Sequence, residues 1–299
     1  MTKIAYVTDL HITHETKCRA TALVTKMANV KGRAGAFFFG GDTFTLGEQR
    51  HWDALMNGPA GNAVIEMTNY SGGLTKELLP SIIEAAGGLP IFMLQGNADA
   101  ISFFHIQKKL AEYSGVKPVA EDVLEFMSFY IIGLGGIEAN DPGALKVNES
   151  NSWYMGVLSG KDFKNGLDRI DKPTREWTSN DWRRTIFMTH LPAYGYVDVF
   201  GDKHNGNCLV EQFIRRNHPL LHLTGHVHDA AADIEKDQQT GQVIRTYSPG
   251  KTRKVIDEKT LTVNPGGGVL HDAEIRMVLI DVDKLISGQG DPLSAVEHI

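Results

Sequence analysis

Short apolar runs recur along the chain, each closed by glycine, an acid, an amide or histidine, and stretches of helical period lie between them. Residues 3–8 form the first run and stop at Thr8-Asp9-Leu10-His11; residues 15–30 follow with apolar positions at helical spacing. Residues 34–39 are apolar on both alternating faces, as in a strand covered on both sides, and end in Gly40-Gly41-Asp42-Thr43. Residues 75–86 place Leu78, Leu79, Ile82, Ile83 and Ala86 on one helical face, and a third strand over 90–94 ends in Gly96-Asn97-Ala98-Asp99. The same reading predicts a helix over 102–113 and a strand over 128–134 running into Gly135-Gly136. It then predicts a short helix over 174–183 capped by Thr174, and a strand over 184–189 closed by His190-Leu191-Pro192. A helix over 208–217 leads to Leu220-Leu221-His222-Leu223, which ends in Thr224-Gly225-His226-Val227-His228-Asp229.

Beyond this point the pattern turns to β. Strands of a second sheet are expected over 231–234, 243–247, 254–263 and 275–281, with Asn264-Pro265-Gly266-Gly267-Gly268 as a turn between the last two. Residues 287–299 read as a frayed tail. Residues 44–73 and 138–173 have little periodicity and read as insertions at the rim of a site. No repeat, low-complexity tract or linker divides the chain, so residues 1–299 are expected to form a single domain.

Composition narrows the class. The 299 residues are 42% hydrophobic and 22% charged, enough apolar material for a large core. A formal charge of −6 gives no overall cationic field, so binding along a nucleic-acid backbone is not favoured. Cys18 and Cys208 have no metal-type spacing and are too few for a disulfide scaffold, which agrees with a reducing compartment. No apolar run has the length of a signal peptide or a membrane span, and a cytoplasmic protein with no membrane partner is expected. Composition carries no information on oligomeric state.

The chemistry collects where the strands end. Asp9 and His11 follow the first, Asp42 the second, Asn97 the third, His190 the fourth, and His226 and His228 the fifth. In extended backbone, side chains at i and i+2 share a side, so Asp9 with His11, and His226 with His228, can each converge on one point. Every one of these residues has an ordinary alternative: an aspartate caps a helix, an asparagine or Gly-Gly-Asp makes a turn, a histidine packs in a loop. Seven ligand-type groups at five strand ends would require all those alternatives to hold together. Imidazole, carboxylate and amide donors without thiolate suit manganese, iron or zinc.

In this order the motifs D-x-H (Asp9 to His11), G-D (Gly41-Asp42), G-N (Gly96-Asn97), H (His190) and G-H-x-H (Gly225 to His228) resemble the calcineurin-like metallophosphoesterase family, and Asn264-Pro265-Gly266 is similar to a late N-P-G turn of many members. The resemblance spans residues 3–228. It implies an α/β fold, a four-layer αββα sandwich with two central mixed sheets and a dinuclear metal site at the strand carboxyl ends. It implies that Asp9, His11 and His228 hold one ion, that Asn97, His190 and His226 hold the other, and that Asp42 bridges them, with Asn97 also a substrate contact. Two divalent or trivalent ions would activate a bridging hydroxide, and no protein nucleophile is implied. The activity implied is that of a phosphoric ester hydrolase acting on a small phosphodiester or nucleotide. A nuclease, a phosphomonoesterase and a non-catalytic scaffold are the alternatives, and retention of all seven ligands speaks against the scaffold. Many members carry histidine after the asparagine, to assist the leaving oxygen; this chain has Ala98. Activated or nucleotide-type diesters are therefore expected to outpace alkyl monoesters, unless His14, His51, His105 or His271 reaches the site from another loop.

Overall fold

The computed structural model describes residues 2–13, 16–44, 73, 75–97, 99, 112–120, 122–138, 157–200, 203–228, 232–236, 243–247, 251–257, 259–267, 275–288 and 290–299. In chain order the first half comprises β1 (Lys3–Val7), α1 (Lys17–Val30), β2 (Ala36–Phe39), α2 (75–86), β3 (Ile91–Leu94), β4 (Val116–Val119), β5 (Leu124–Phe126), β6 (Phe129–Leu134), β7 (Ile137–Glu138) and β8 (Val157–Leu158). Next come α3 (Gly160–Asp171), α4 (Ser179–Trp182), β9 (Thr185–Thr189), β10 (Val199–Phe200), β11 (Lys203–His204), α5 (Cys208–Asn217) and β12 (Leu221–Leu223). The chain closes with β13 (Ala232–Lys236), β14 (Val243–Tyr247), β15 (Arg253–Ile256), β16 (Thr260–Val263), β17 (Met277–Asp281), α6 (Val282–Ser287), a 3₁₀ turn (Pro292–Ala295) and β18 (Val296–His298).

Two six-stranded mixed sheets result, in the orders β18-β17-β1-β2-β3-β4 and β15-β16-β12-β9-β6-β5. In the first, β1 to β4 run parallel; in the second, β16, β12, β9 and β6 do. The parallel strands of each sheet therefore share one carboxyl edge, and the ligand-type residues lie along those edges. Alternation supplies the layers. Tyr6, Phe38, Phe92 and Leu94 from the first sheet pack with Ile131, Ile186, Met188, Leu221 and Leu223 from the second. Val7, Phe37 and Phe39 face Leu23 and Met27 of α1 and Leu79 and Ile82 of α2. Ile132 and Phe187 face Phe163 and Leu167 of α3, Trp182 of α4 and Phe213 of α5. This is the αββα sandwich.

Several elements differ from the sequence expectation. The run 254–263 is two antiparallel strands, β15 and β16, separated by a turn in which Asp257 has φ 48°. β17 does not join the second sheet: it returns antiparallel to β1, and β18, within the expected frayed tail, pairs with β17. The short helix begins at Thr178, which forms a capping box with Asp181, while the Thr174 hydroxyl donates back to the Ile170 carbonyl. Part of the segment 138–173 is α3, capped by Ser159 and packed on the second sheet. Residues 102–111 of the helix expected over 102–113, and residues 45–72 and 139–156 of the two insertions, lie outside the described residues, while Glu112 and Tyr113 lie in a turn before β4.

Candidate metal centre

The carboxyl edges of the two sheets meet because the backbone beyond β1 and β2 stays paired after the strands stop. The Asp9 N–H donates to Gly41 O at 3.0 Å, and the His11 N–H to Asp42 O at 2.8 Å. From the second sheet, the Gly225 N–H donates to His190 O at 3.0 Å, and the Tyr6 hydroxyl ties β1 across the core to Thr224 O at 2.7 Å. Finally, the His226 N–H meets both carboxylate oxygens of Asp9 at 3.0 Å.

Two glycines permit this closeness. A Cβ on Gly225 would lie 2.1 Å from Thr8 Oγ1 and 2.5 Å from Asp9 Oδ2, and one on Gly96 would lie 2.0 Å from Asp42 Oδ1.

At four of the seven ligand positions the backbone is not extended, contrary to the i, i+2 expectation. Asp9 (φ 53°), His11 (45°), Asp42 (51°) and His226 (65°) all occupy the left-handed region. That region is uncommon for residues with a side chain and concentrates where surrounding structure enforces it. Convergence comes from these enforced turns, not from strand alternation.

All seven side chains come together. In one group, His11 Nε2 and His228 Nε2 face each other at 2.9 Å, and Asp9 Oδ1 lies 3.3 Å from His228 Nε2. In the other, a single oxygen, Asn97 Oδ1, sits 3.0 Å from His190 Nε2 and 2.9 Å from His226 Nδ1. Asp42 Oδ2 lies between them, 3.7 Å from His11 Nε2 and 3.3 Å from His190 Nε2. Asp9 also reaches across, with Oδ1 3.9 Å from His190 Nε2, so both aspartates touch both groups. His14, His51, Ala98, His105 and His271 lie outside the described residues.

Sequence reasoning passed over Asp99. Its buried carboxylate accepts from the backbone N–H groups of Asp42 (2.9 Å), Thr43 (2.9 Å), Phe44 (3.1 Å) and Gly96 (2.7 Å), locking the loop after β2 to the loop after β3. The signal was a second acid two residues beyond Asn97, in a place where a turn alone needs none.

The electrostatics are those of buried acids and imidazoles gathered within reach of one another. Burial would lower the His190 imidazole, yet Asp42 and Asp9 outweigh it and push the group up to about 10. His226, buried without a comparable carboxylate contact, falls to about 4. Burial together with the neighbouring Asp42 charge raises Asp99 to about 7 despite its four N–H donors. Buried oxygen and nitrogen donors with convergent lone pairs, without thiolate, fit hard or borderline divalent cations. Asp9, His11 and His228 can hold one such ion, Asn97, His190 and His226 a second, and Asp42 both.

A curated relative, UPF0046 protein K07C11.7 of Caenorhabditis elegans, is 31% identical over 62 residues, a stretch that is 21% of this chain and 21% of that protein. One solved crystal structure superposes with a TM-score of 0.66 at 17% identity, covering 99% of this chain and 98% of the other, which is a likeness of fold. Phosphopantetheinyl hydrolase (PptH) from Mycobacterium tuberculosis aligns over 100% of this chain and 95% of that chain at 9% identity, with a TM-score of 0.48. Residues 2–230 match the calcineurin-like phosphoesterase family, the stretch that runs from β1 through the G-H-x-H turn and so contains every one of the seven convergent side chains. On that match, and on a sandwich that brings both sheet edges to one site, the chain belongs to the calcineurin-like phosphoesterases, a family of metal-dependent phosphoric ester hydrolases.

Proposed function

We propose that this chain is a phosphodiesterase acting on small diesters of the nucleotide type. The observation that carries the reading is the convergence of two buried aspartates, one amide oxygen and four imidazoles on one point at the sheet edges. Two divalent ions bound there would supply Lewis acidity at the phosphoryl oxygens and lower the pKa of a bound water. The chain's own part is to hold the donors rigid through Asp99 and the left-handed turns, and to set which phosphate is welcome. Ala98 bears on that choice. Where an imidazole beside Asn97 would offer a monoester's second negative charge a partner, this chain offers a methyl group, and its net charge of −6 disfavours a dianion further. Both features favour a singly charged diester.

The test is a turnover screen of the Mn²⁺-loaded protein on matched aryl diesters, aryl monoesters, cyclic nucleotides and single-stranded DNA. Diesters or cyclic nucleotides are expected to lead. Faster hydrolysis of monoesters or of DNA would replace this reading with a phosphomonoesterase or a nuclease.

A further inference from the structure

The turn Asn264-Pro265-Gly266-Gly267 follows β16 of the second sheet and touches the candidate metal centre at both of its ends. At the first end the Asn264 side chain is fully buried. Its Nδ2 lies 3.2 Å from both Gly225 O and Val227 O, the carbonyls of the residues on either side of His226. Its Oδ1 accepts the Gly266 N–H at 2.9 Å, which closes the turn. At the second end Gly267 comes against two of the candidate ligands. A Cβ there would stand 2.8 Å from Asp9 Cβ and 3.2 Å from His228 Cδ2, so only glycine fits.

Gly267 is held from the other sheet. Arg276 lies immediately before β17, one residue beyond the Val7–Met277 pair, and so level with the exit of β1 toward Asp9. Its side chain is buried, and Nη1 donates to Gly267 O at 3.0 Å. A guanidinium stays charged and carries donors only, so its burial is costly unless acceptors meet it. An apolar side chain would fill the same space without that cost. What the guanidinium adds is a directed donor at the Gly267 carbonyl. The bond joins the first sheet to the turn of the second at a point that touches Asp9 of one and His228 of the other. Both of those belong, with His11, to the same candidate ion.

We propose that Arg276 is a positioning residue for the ion group of Asp9, His11 and His228. By holding the Gly267 carbonyl it keeps the turn pressed against Asp9 and His228, fixes the separation of those two ligands, and so sets the affinity for that ion in preference to the other. The proposal rests on the metal-dependent phosphoester reading. Arg276 acts through Gly267, Asp9 and His228.

Calorimetric titration of the whole chain with Mn²⁺, with anomalous diffraction to identify each ion, tests it. Arg276→Met removes the charge and keeps an unbranched side chain. In it, affinity for the ion beside Asp9 and His228 is expected to fall by about ten- to a hundredfold, the usual scale for losing a residue that orients a ligand, while the ion beside Asn97 and His226 changes less than about threefold. Arg276→Lys, which keeps a charged donor, should recover most of the loss. A residue that merely supports the fold predicts a lower melting temperature with both ions weakened alike, or with neither weakened. Either result would overturn the proposal, as would Arg276→Lys binding no better than Arg276→Met. Gly267→Ala makes the same test with Arg276 intact, because the added carbon must push the turn away from Asp9 and His228. It should weaken the same ion by about tenfold or more, and unchanged affinity would overturn the proposal even where Arg276→Met fails to fold. A wild-type chain that binds no Mn²⁺ would instead refute the metal-dependent reading, and the proposal with it.

Discussion

His190 carries the largest conflict between its surroundings and its charge. Burial disfavours an imidazolium, but Asp42 at 3.3 Å and Asp9 at 3.9 Å hold the group protonated up to about 10 in the metal-free protein. A histidine raised above its ordinary value of about 6.5 adds stability that is complete below that value and is lost as pH climbs toward the folded one. A cation, by contrast, needs the neutral ring, so metal binding must expel that proton. At pH 7, Mn²⁺ binding is expected to release about one proton from His190, with affinity rising about tenfold per pH unit on this account. Calorimetry in buffers of different protonation enthalpy measures the release. Identical heats in all buffers would show that His190 holds no displaceable proton. Asp99 was hard to read from sequence for a different reason: three of its four amide donors belong to residues 42–44, more than fifty positions earlier, so a second acid after Asn97 does not by itself reveal what it holds.

Among elements, the strand ends were the legible part. An apolar run broken by glycine and then by a ligand-type residue marks where a parallel strand stops and side chains become free to converge, and β1, β2, β3, β9 and β12 all stop within a residue of the expected place. α3 was not read, although Phe163, Leu167 and Ile170 have helical spacing, because Gly160, Gly166 and many charges gave the whole segment the composition of a loop. The sheet to which β17 belongs was beyond reach for another reason: its apolar alternation suits either sheet, and only β1 lying at an open edge decides it. The approach of the turn after β12 to that after β1 gives a test at this scale. Gly225→Ala would drive a methyl group into Thr8 Oγ1 and Asp9 Oδ2, and overpacking of this kind typically costs about 1–3 kcal/mol. The expected result is a lower melting temperature together with preferential loss of the ion assigned to Asp9, His11 and His228. Gly32→Ala, where nothing lies within 4 Å of the added carbon, is the control and should leave both unchanged. Full metal content in Gly225→Ala would show that the approach is looser than drawn.

At the scale of the whole molecule, the two sheets act as two jaws. The first contributes Asp9, His11, Asp42 and Asn97, the second His190, His226 and His228, and neither sheet alone has a complete set for either group. The site therefore depends on the packed interface of Tyr6, Phe38, Phe92, Ile186 and Leu223 between them, which is why the core and the chemistry cannot be separated. Among the described residues no helix is long and apolar enough to cross a membrane. The central claim is that the jaws close on two ions with Asp42 between them. Anomalous diffraction from Mn²⁺-soaked crystals of the wild-type protein and of His11→Ala and His190→Ala tests it most directly. Two peaks are predicted in the wild type, with only the peak beside Asn97 and His226 remaining in His11→Ala and only the peak beside Asp9 and His228 remaining in His190→Ala. A single wild-type peak, or loss of the same peak in both variants, would contradict the account.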